Sequence, residues 1–168
     1  MRRDPRATQV ALVFSECNQF MKLNLLDDPK IKWQDYGPDS RFAYPIGYSG
    51  ALLAYDGKGH IDLLYRWEPG KYCHFHRHLC EVRSTVLKGS LEVVTYEDGK
   101  EVSSIVREVG SYSHMPEGDV HMERGGTEGA VVLFNLYAPD GRLTQMLDEA
   151  GNTLKTLTIG SVLKQFSH

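Results

Sequence analysis

The chain has 168 residues, 41% of them hydrophobic and 24% charged, with a formal net charge of -3. That is the composition of one globular domain large enough to bury a core, and it excludes a disordered chain. A nucleic-acid binder would show a basic excess on some face, so none is expected as a partner; the short basic start, Arg2, Arg3 and Arg6, reads as a solvated terminus.

The earliest apolar run, Val10 to Phe14, is far shorter than a signal h-region, and no stretch approaches the ~20 apolar residues that span a bilayer. A soluble, cytoplasmic protein without a membrane partner is therefore expected. Its three cysteines, Cys17, Cys73 and Cys80, are an odd number, and reduced thiols are expected.

Residues 1–45 read as an arm packing on the rest. Ser15 is placed to cap a short helix through about Leu26, with Phe20, Leu23 and Leu25-Leu26 on its apolar side, and Asp28-Pro29 ends it. Trp33 to Pro45 reads as loop with one or two edge strands. Residues 46–168 form the second unit. Strands are expected at 47–55, 60–67, 72–78, 82–88, 90–97, 101–108, 111–115, 119–124 and 130–137. Asp56-Gly57 and Asp98-Gly99 are hairpin-turn signals between apolar runs. A final hairpin is expected from 142–146 and 153–158 around Gly151-Asn152, followed by one helical turn from Gly160. Many short strands with little helix point to an all-β jelly-roll barrel. An immunoglobulin-like sandwich would need a Cys–Trp–Cys framework that is absent.

The histidines carry the chemistry. Side chains at i and i+2 of a strand share a face, so Tyr72, His74, His76 and His78 point the same way if 72–78 is extended. Two imidazoles so placed can grip one ion from one side. A third must come from a neighbouring strand, and His121 follows a Pro-x-Gly turn that would bring the chain back alongside. Neutral imidazole suits Fe(II), Zn, Cu and Ni, and three histidines leave coordination positions open, as a catalytic site needs. Such pairs also occur as plain polar residues on strands, and spacing alone leaves both readings open. His60 and His168 read as surface residues.

With these positions in place, the sequence resembles the cupin superfamily. The family's first motif is written G-x5-H-x-H-x3,4-E-x6-G. Gly70, His76 and His78 match it, and Lys88-Gly89-Ser90-Leu91-Glu92-Val93 resembles its close. The second motif is G-x5-P-x-G-x2-H-x3-N. Gly110, Pro116, Gly118 and His121 match it, with Gly125 where the Asn stands. The resemblance covers about residues 46–138 and implies a jelly-roll β-barrel, often dimeric, so a homodimer is expected. The family's glutamate ligand falls on Val82. Glu81 is one residue off, and a one-residue slip turns a side chain to the other face unless a bulge restores it.

A three-histidine site resembles that of acetylacetone-cleaving dioxygenases and related aromatic-ketone dioxygenases; a second likeness is to the zinc-binding cupin domain of anti-sigma factors. The resemblance implies one divalent metal, Fe(II) first, with Zn, Ni or Mn as alternatives, held by His76, His78 and His121. His74 and Glu81 stand as further ligands or as partners that orient one. The implied reaction uses dioxygen to cleave a carbon–carbon bond of a small β-diketone or hydroxy ketone. Alternatives are a non-catalytic zinc-binding sensor and a metal-dependent isomerase or lyase. Three neutral ligands would leave the ion its full charge, favouring an anionic chelating substrate. Tyr65, Trp67, Arg83, His114, Phe134 and Tyr137 are the expected pocket residues, although plain core packing is the favoured reading of any single aromatic. By alternation Cys73 faces away from His74 and His76, and plain burial is its expected role, with a thiolate ligand the alternative.

Overall fold

A computed structural model describes residues 23–97 and 100–167. Ten strands follow in chain order: β1 (Gln34–Tyr36), β2 (Tyr48–Tyr55), β3 (His60–Trp67), β4 (His76–His78), β5 (Glu81–Glu97), β6 (Lys100–Glu108), β7 (Tyr112–Met115), β8 (Val120–Tyr137), β9 (Arg142–Leu147) and β10 (Thr153–Thr158). One helix, α1 (Ile159–Phe166), closes the described chain. No helix among the described residues is long and apolar enough to cross a membrane.

Two long strands organise everything else. β8 pairs with β5 in antiparallel register from Glu81↔Tyr137 to Thr95↔His121, with irregularities at Val86/Lys88 and Gly89/Leu91. These bulges bend both strands, so each contributes to two faces of the barrel. On one side, β3 joins the 130–137 half of β8, while β7 joins the first half of β5. On the other side, β4 joins β8 at Val120 and His121, and β6 joins the second half of β5. β1 and β2 extend the first side through β3, and β9 and β10 extend the second through β4. The result is the expected all-β jelly-roll barrel.

Sequence periodicity explains the core. Along β8, Ala130, Val132, Phe134 and Leu136 are buried, whereas Asn135 and Tyr137 are exposed. Ile61, Leu63 and Trp67 of β3 and Val82 and Val86 of β5 meet them in one hydrophobic cluster. Where both faces of a strand are covered the alternation is lost, as at adjacent Leu63 and Leu64.

Several expectations need adjustment. The strands expected at 82–88 and 90–97 are one strand bent by bulges, and so are those at 119–124 and 130–137. The strand expected over 72–78 is regular only at His76–His78; Tyr72 forms isolated bridges to Ile46 and Arg124. The final hairpin forms as expected. The tail makes two helical turns, because Thr158 and Ser161 form a reciprocal capping box, with Ser161 N donating to Thr158 Oγ1 at 3.1 Å. Of the helix expected from Ser15 to Leu26, the part before Leu23 lies outside the described residues, as do Cys17 and the Asp98-Gly99 turn; Leu25–Asp27 form a turn. The Asp56-Gly57 turn joins β2 to β3, with Asp56 Oδ1 accepting from the Lys58 and His60 amides. β1 is the edge strand expected between Trp33 and Pro45.

The bend of β5 requires glycine at one point. Gly89 has φ +67, and a Cβ there would run into the carbonyl oxygen of Gly129. Gly57 has φ +76 in open space, with nothing within 4 Å of its would-be Cβ. Gly89→Ala is thus expected to cost about 3 kcal/mol or more, against about 1 kcal/mol for Gly57→Ala, which bears backbone strain alone. Urea unfolding of the two variants measures this; equal losses would mean that the Gly89–Gly129 approach is not a tight constraint.

Candidate metal centre

β4 lies hydrogen-bonded between β8 and β9, with His76 opposite His121 on one side and opposite Met146 on the other. The turn before β8 secures this register. Gly118, at φ +96, donates its amide to His78 O at 2.9 Å, and His78 N donates to Asp119 O at 3.0 Å. Glycine accepts the left-handed conformation there at no steric cost.

This register brings His76, His78, His121 and Glu123 together, with one potential ligand atom from each lying within 4.8 Å of the others. The Nε2 atoms of His76 and His78 are 3.2 Å apart, as are those of His78 and His121. Glu123 Oε1 lies 3.1 Å from His121 Nε2, and Oε2 lies 3.8 Å from His76 Nε2. The far sides of two rings are held. His76 Nδ1 lies 2.8 Å from the His74 carbonyl oxygen, which can only accept, so Nδ1 carries the proton and Nε2 offers a lone pair. His121 Nδ1 lies 2.8 Å from Asp119 Oδ2.

Burial dominates the electrostatics. His121 is fully buried and Glu123 is 3% exposed. Burial favours neutral His121, but the Glu123 and Asp119 carboxylates outweigh it and raise the group to about 9. Burial pushes Glu123 up, yet the charge of His121, with hydrogen bonds from His121 and the Cys73 thiol, outweighs it and holds the carboxyl below its usual range. Burial lowers His76, and lowers His78 well below the ordinary histidine value, with repulsion from the neighbouring imidazoles adding to it at His78. The cluster therefore pairs one ionised carboxylate with neutral His76 and His78.

Sequence reasoning misses Glu123. It seeks the carboxylate near the first histidine pair, where Val82 and Glu81 stand. The i, i+2 rule that joins His76 to His78 also joins His121 to Glu123 on β8, and that signal was readable. Glu81 lies elsewhere: half-exposed, it pairs with Arg83 at 2.6 Å and His114 at 3.3 Å. Its neighbour Val82 takes the inward position, and no bulge at this end of β5 reverses the parity.

Cys73 also departs from the alternation expected of it, because residues 73–75 are not a regular strand. Its thiol donates to Glu123 Oε2 at 2.8 Å, and its sulfur accepts from Glu123 N at 3.2 Å. Burial pushes the Cys73 thiol well above its ordinary value, so it is a donor that orients the carboxylate. His74 turns from the cluster toward Tyr48 Oη, 2.8 Å from Nδ1, and Asp39 Oδ2, 3.4 Å from Nε2. It touches the cluster only through its carbonyl.

A cavity of about 840 Å³ opens onto His76, His78 and Glu123. Tyr65, Trp67 and Phe134 line it with Leu63, Leu143 and Met146, and the charged Asp35, Asp39, Arg41 and Lys155 line it as well. The other three expected pocket residues point outward by strand parity. Arg83 and His114 join Glu81 on the outer surface, and Tyr137 stacks on His60 with centroids 4.4 Å apart.

No protein-family model and no curated protein matches the chain. Solved structures do. A putative acetylacetone dioxygenase from Methylibium petroleiphilum is similar with a TM-score of 0.65 at 12% identity, over 90% of this chain and 99% of that one. An RmlC-like cupin protein from Ralstonia eutropha has a TM-score of 0.63 at 15% identity, over 87% and 85%. The acetylacetone dioxygenase from Acinetobacter johnsonii has a TM-score of 0.61 at 16% identity, over 88% and 94%. Identities this low speak to fold, and the fold of this chain is the cupin-type jelly-roll barrel.

Proposed function

We propose that the protein is a mononuclear metal-dependent enzyme, a non-haem Fe(II) dioxygenase that cleaves a carbon–carbon bond in a small β-diketone or hydroxy ketone. The observation that carries this reading is a buried cluster of three histidines and one glutamate facing a cavity with an aromatic and aliphatic wall. The likeness in fold to acetylacetone dioxygenases supports it.

The donor set fits a divalent ion. Three imidazole nitrogens and a carboxylate converge at one point, and two of the rings are oriented from behind by His74 O and Asp119. Neutral His76 carries its single proton on Nδ1, so its Nε2 is free to offer a lone pair to the ion.

Glu123 changes the charge balance expected from three neutral ligands. One carboxylate leaves a divalent ion with a net charge of about +1. A monoanionic chelate, such as an enolate, would then give a neutral assembly. The aromatic and aliphatic part of the cavity wall accepts a neutral assembly more readily than a charged one. Fe(II) bound there would supply Lewis acidity and redox chemistry toward dioxygen. The chain's own residues do the rest. Cys73 holds Glu123 in place, Asp119 and the His74 carbonyl fix two ring orientations, and the aromatic residues form one wall of the cavity.

Protein purified with iron should hold about one equivalent, and His76→Ala or His121→Ala should abolish retention. Asp119→Asn should weaken binding by about 10- to 100-fold, as loss of an orienting partner does, and Glu81→Gln should leave it unchanged. Metal analysis and calorimetric titration read these outcomes; retention in both alanine variants would sink the assignment. Iron-loaded protein should consume oxygen with β-diketones or ortho-hydroxy ketones in an oxygen electrode. Equal turnover of any of them without oxygen would identify an isomerase or lyase instead.

A further inference from the structure

One edge of the barrel is built unlike the others. Eight large hydrophobic side chains are exposed among the described residues, and five of them fall between residues 102 and 112. They are Val102, Ile105, Val106, Val109 and Tyr112, each between 51 and 64% exposed. The first three belong to β6, in which Arg107 alone is even half-buried. Among the described residues β6 pairs with β5 and no other strand, so its second edge presents unpaired backbone N–H and C=O groups. No residue of β6 lines the cavity.

Edge strands invite a second strand, and folds avoid that by keeping them short or charged. β1 and β7 follow this rule with three and four residues. β10, at the end of the sheet beside β9, carries Lys155 near its middle, so two copies would bring like charges together. β6 runs for nine residues, Lys100–Glu108, and keeps its charges at its ends. Their order is self-complementary. In an antiparallel pair of two copies about Ser104, Lys100 meets the partner's Glu108, and Glu101 meets the partner's Arg107. Val102 meets the partner's Val106, and Ser103 meets the partner's Ile105. A slip of one residue sets Glu101 against the partner's Glu108, or Lys100 against the partner's Arg107, and either repels. Lys100, Glu101, Arg107 and Glu108 form no salt bridge among the described residues. Ser103 to Glu108 pair with β5 in unbroken register, and the strand's one irregularity lies beside Val102.

We propose that β6 is a self-association edge, through which two copies of the chain pair antiparallel about Ser104 and join their sheets. The interface is isologous, so each cross-strand contact occurs twice. Backbone hydrogen bonds satisfy the open edge, the valines cover one another, and the end charges fix the register. Val109 and Tyr112 extend the apolar patch beyond the strand. The proposal stands on the sheet edge alone and is independent of the metal reading.

Sedimentation of the full-length protein over a range of concentrations tests this. The wild type should be a dimer that dissociates on dilution. Lys100→Glu sets Glu against the partner's Glu108 at both ends of the pair, and Glu108→Lys sets Lys against the partner's Lys100. Each variant alone should dimerise about 10-fold more weakly or worse. An equimolar mixture of the two should dimerise again, because every facing pair in the mixed dimer is of opposite charge. High salt should narrow the gap between the mixture and the single variants. Both positions are exposed, so thermal melting followed by circular dichroism should show intact folds. Val106→Lys, at another exposed position, replaces an apolar pair and should also yield monomer. A wild type that stays monomeric at every concentration would overturn the proposal. So would single variants that dimerise as tightly as the wild type, or a mixture that associates no better than either variant alone.

Discussion

A three-residue strand, His76–His78, is hydrogen-bonded between β8 and β9, and its register against β8 sets His76 opposite His121. Everything at the site depends on that pairing. Strand periodicity puts His78 beside His76 and Glu123 beside His121, so the register turns two i, i+2 pairs into one four-donor cluster. A slip of one residue would turn one pair to the opposite face and leave the other alone. The Pro116-Glu117-Gly118 turn guards against such a slip, because Gly118 N and Asp119 O both bond to the backbone of His78.

The rest of the barrel maintains this pairing at a distance. β8 can reach β4 with one half and β3 with the other only because it bends together with β5, where Gly89 closes on Gly129. The same bend places Trp67 and Phe134 on the wall of the cavity that opens onto the histidines. Burial makes the cluster electrostatically tense. His121 is drawn toward its charged form by two carboxylates, while His76 and His78 are held neutral. A divalent ion would satisfy the carboxylate and the neutral imidazoles together.

Much of this is legible in the sequence, and the failures have physical causes. Alternation and turn residues expose the strands and the hairpin around Gly151, and two spaced motifs point to the barrel. The continuity of β5 and β8 is hidden because Gly89, and Gly125 with Gly126 and Gly129, read as breaks when they are bends. His74 is expected beside His76 when 72–78 is read as extended; the irregular backbone at 73–75 sends it to Tyr48 instead and brings Cys73 to Glu123. Glu123 is overlooked although it obeys the same two-residue rule as the histidines. Arg83, His114 and Tyr137 fall in the expected pocket because strand parity has no fixed reference point in the sequence; burial of Val82 and Leu136 supplies it.

The central claim is that β4 and β8 together build a site of three histidines and one carboxylate for one divalent ion. X-ray absorption at the metal edge of zinc-loaded protein tests it most directly, because imidazole rings, carboxylate oxygen and thiolate sulfur scatter differently. The account predicts three imidazoles and an oxygen donor at about 2.0–2.2 Å, with no sulfur. A scatterer at about 2.3 Å would instead place the Cys73 thiolate on the metal, and fewer than three imidazoles would break the link between register and site.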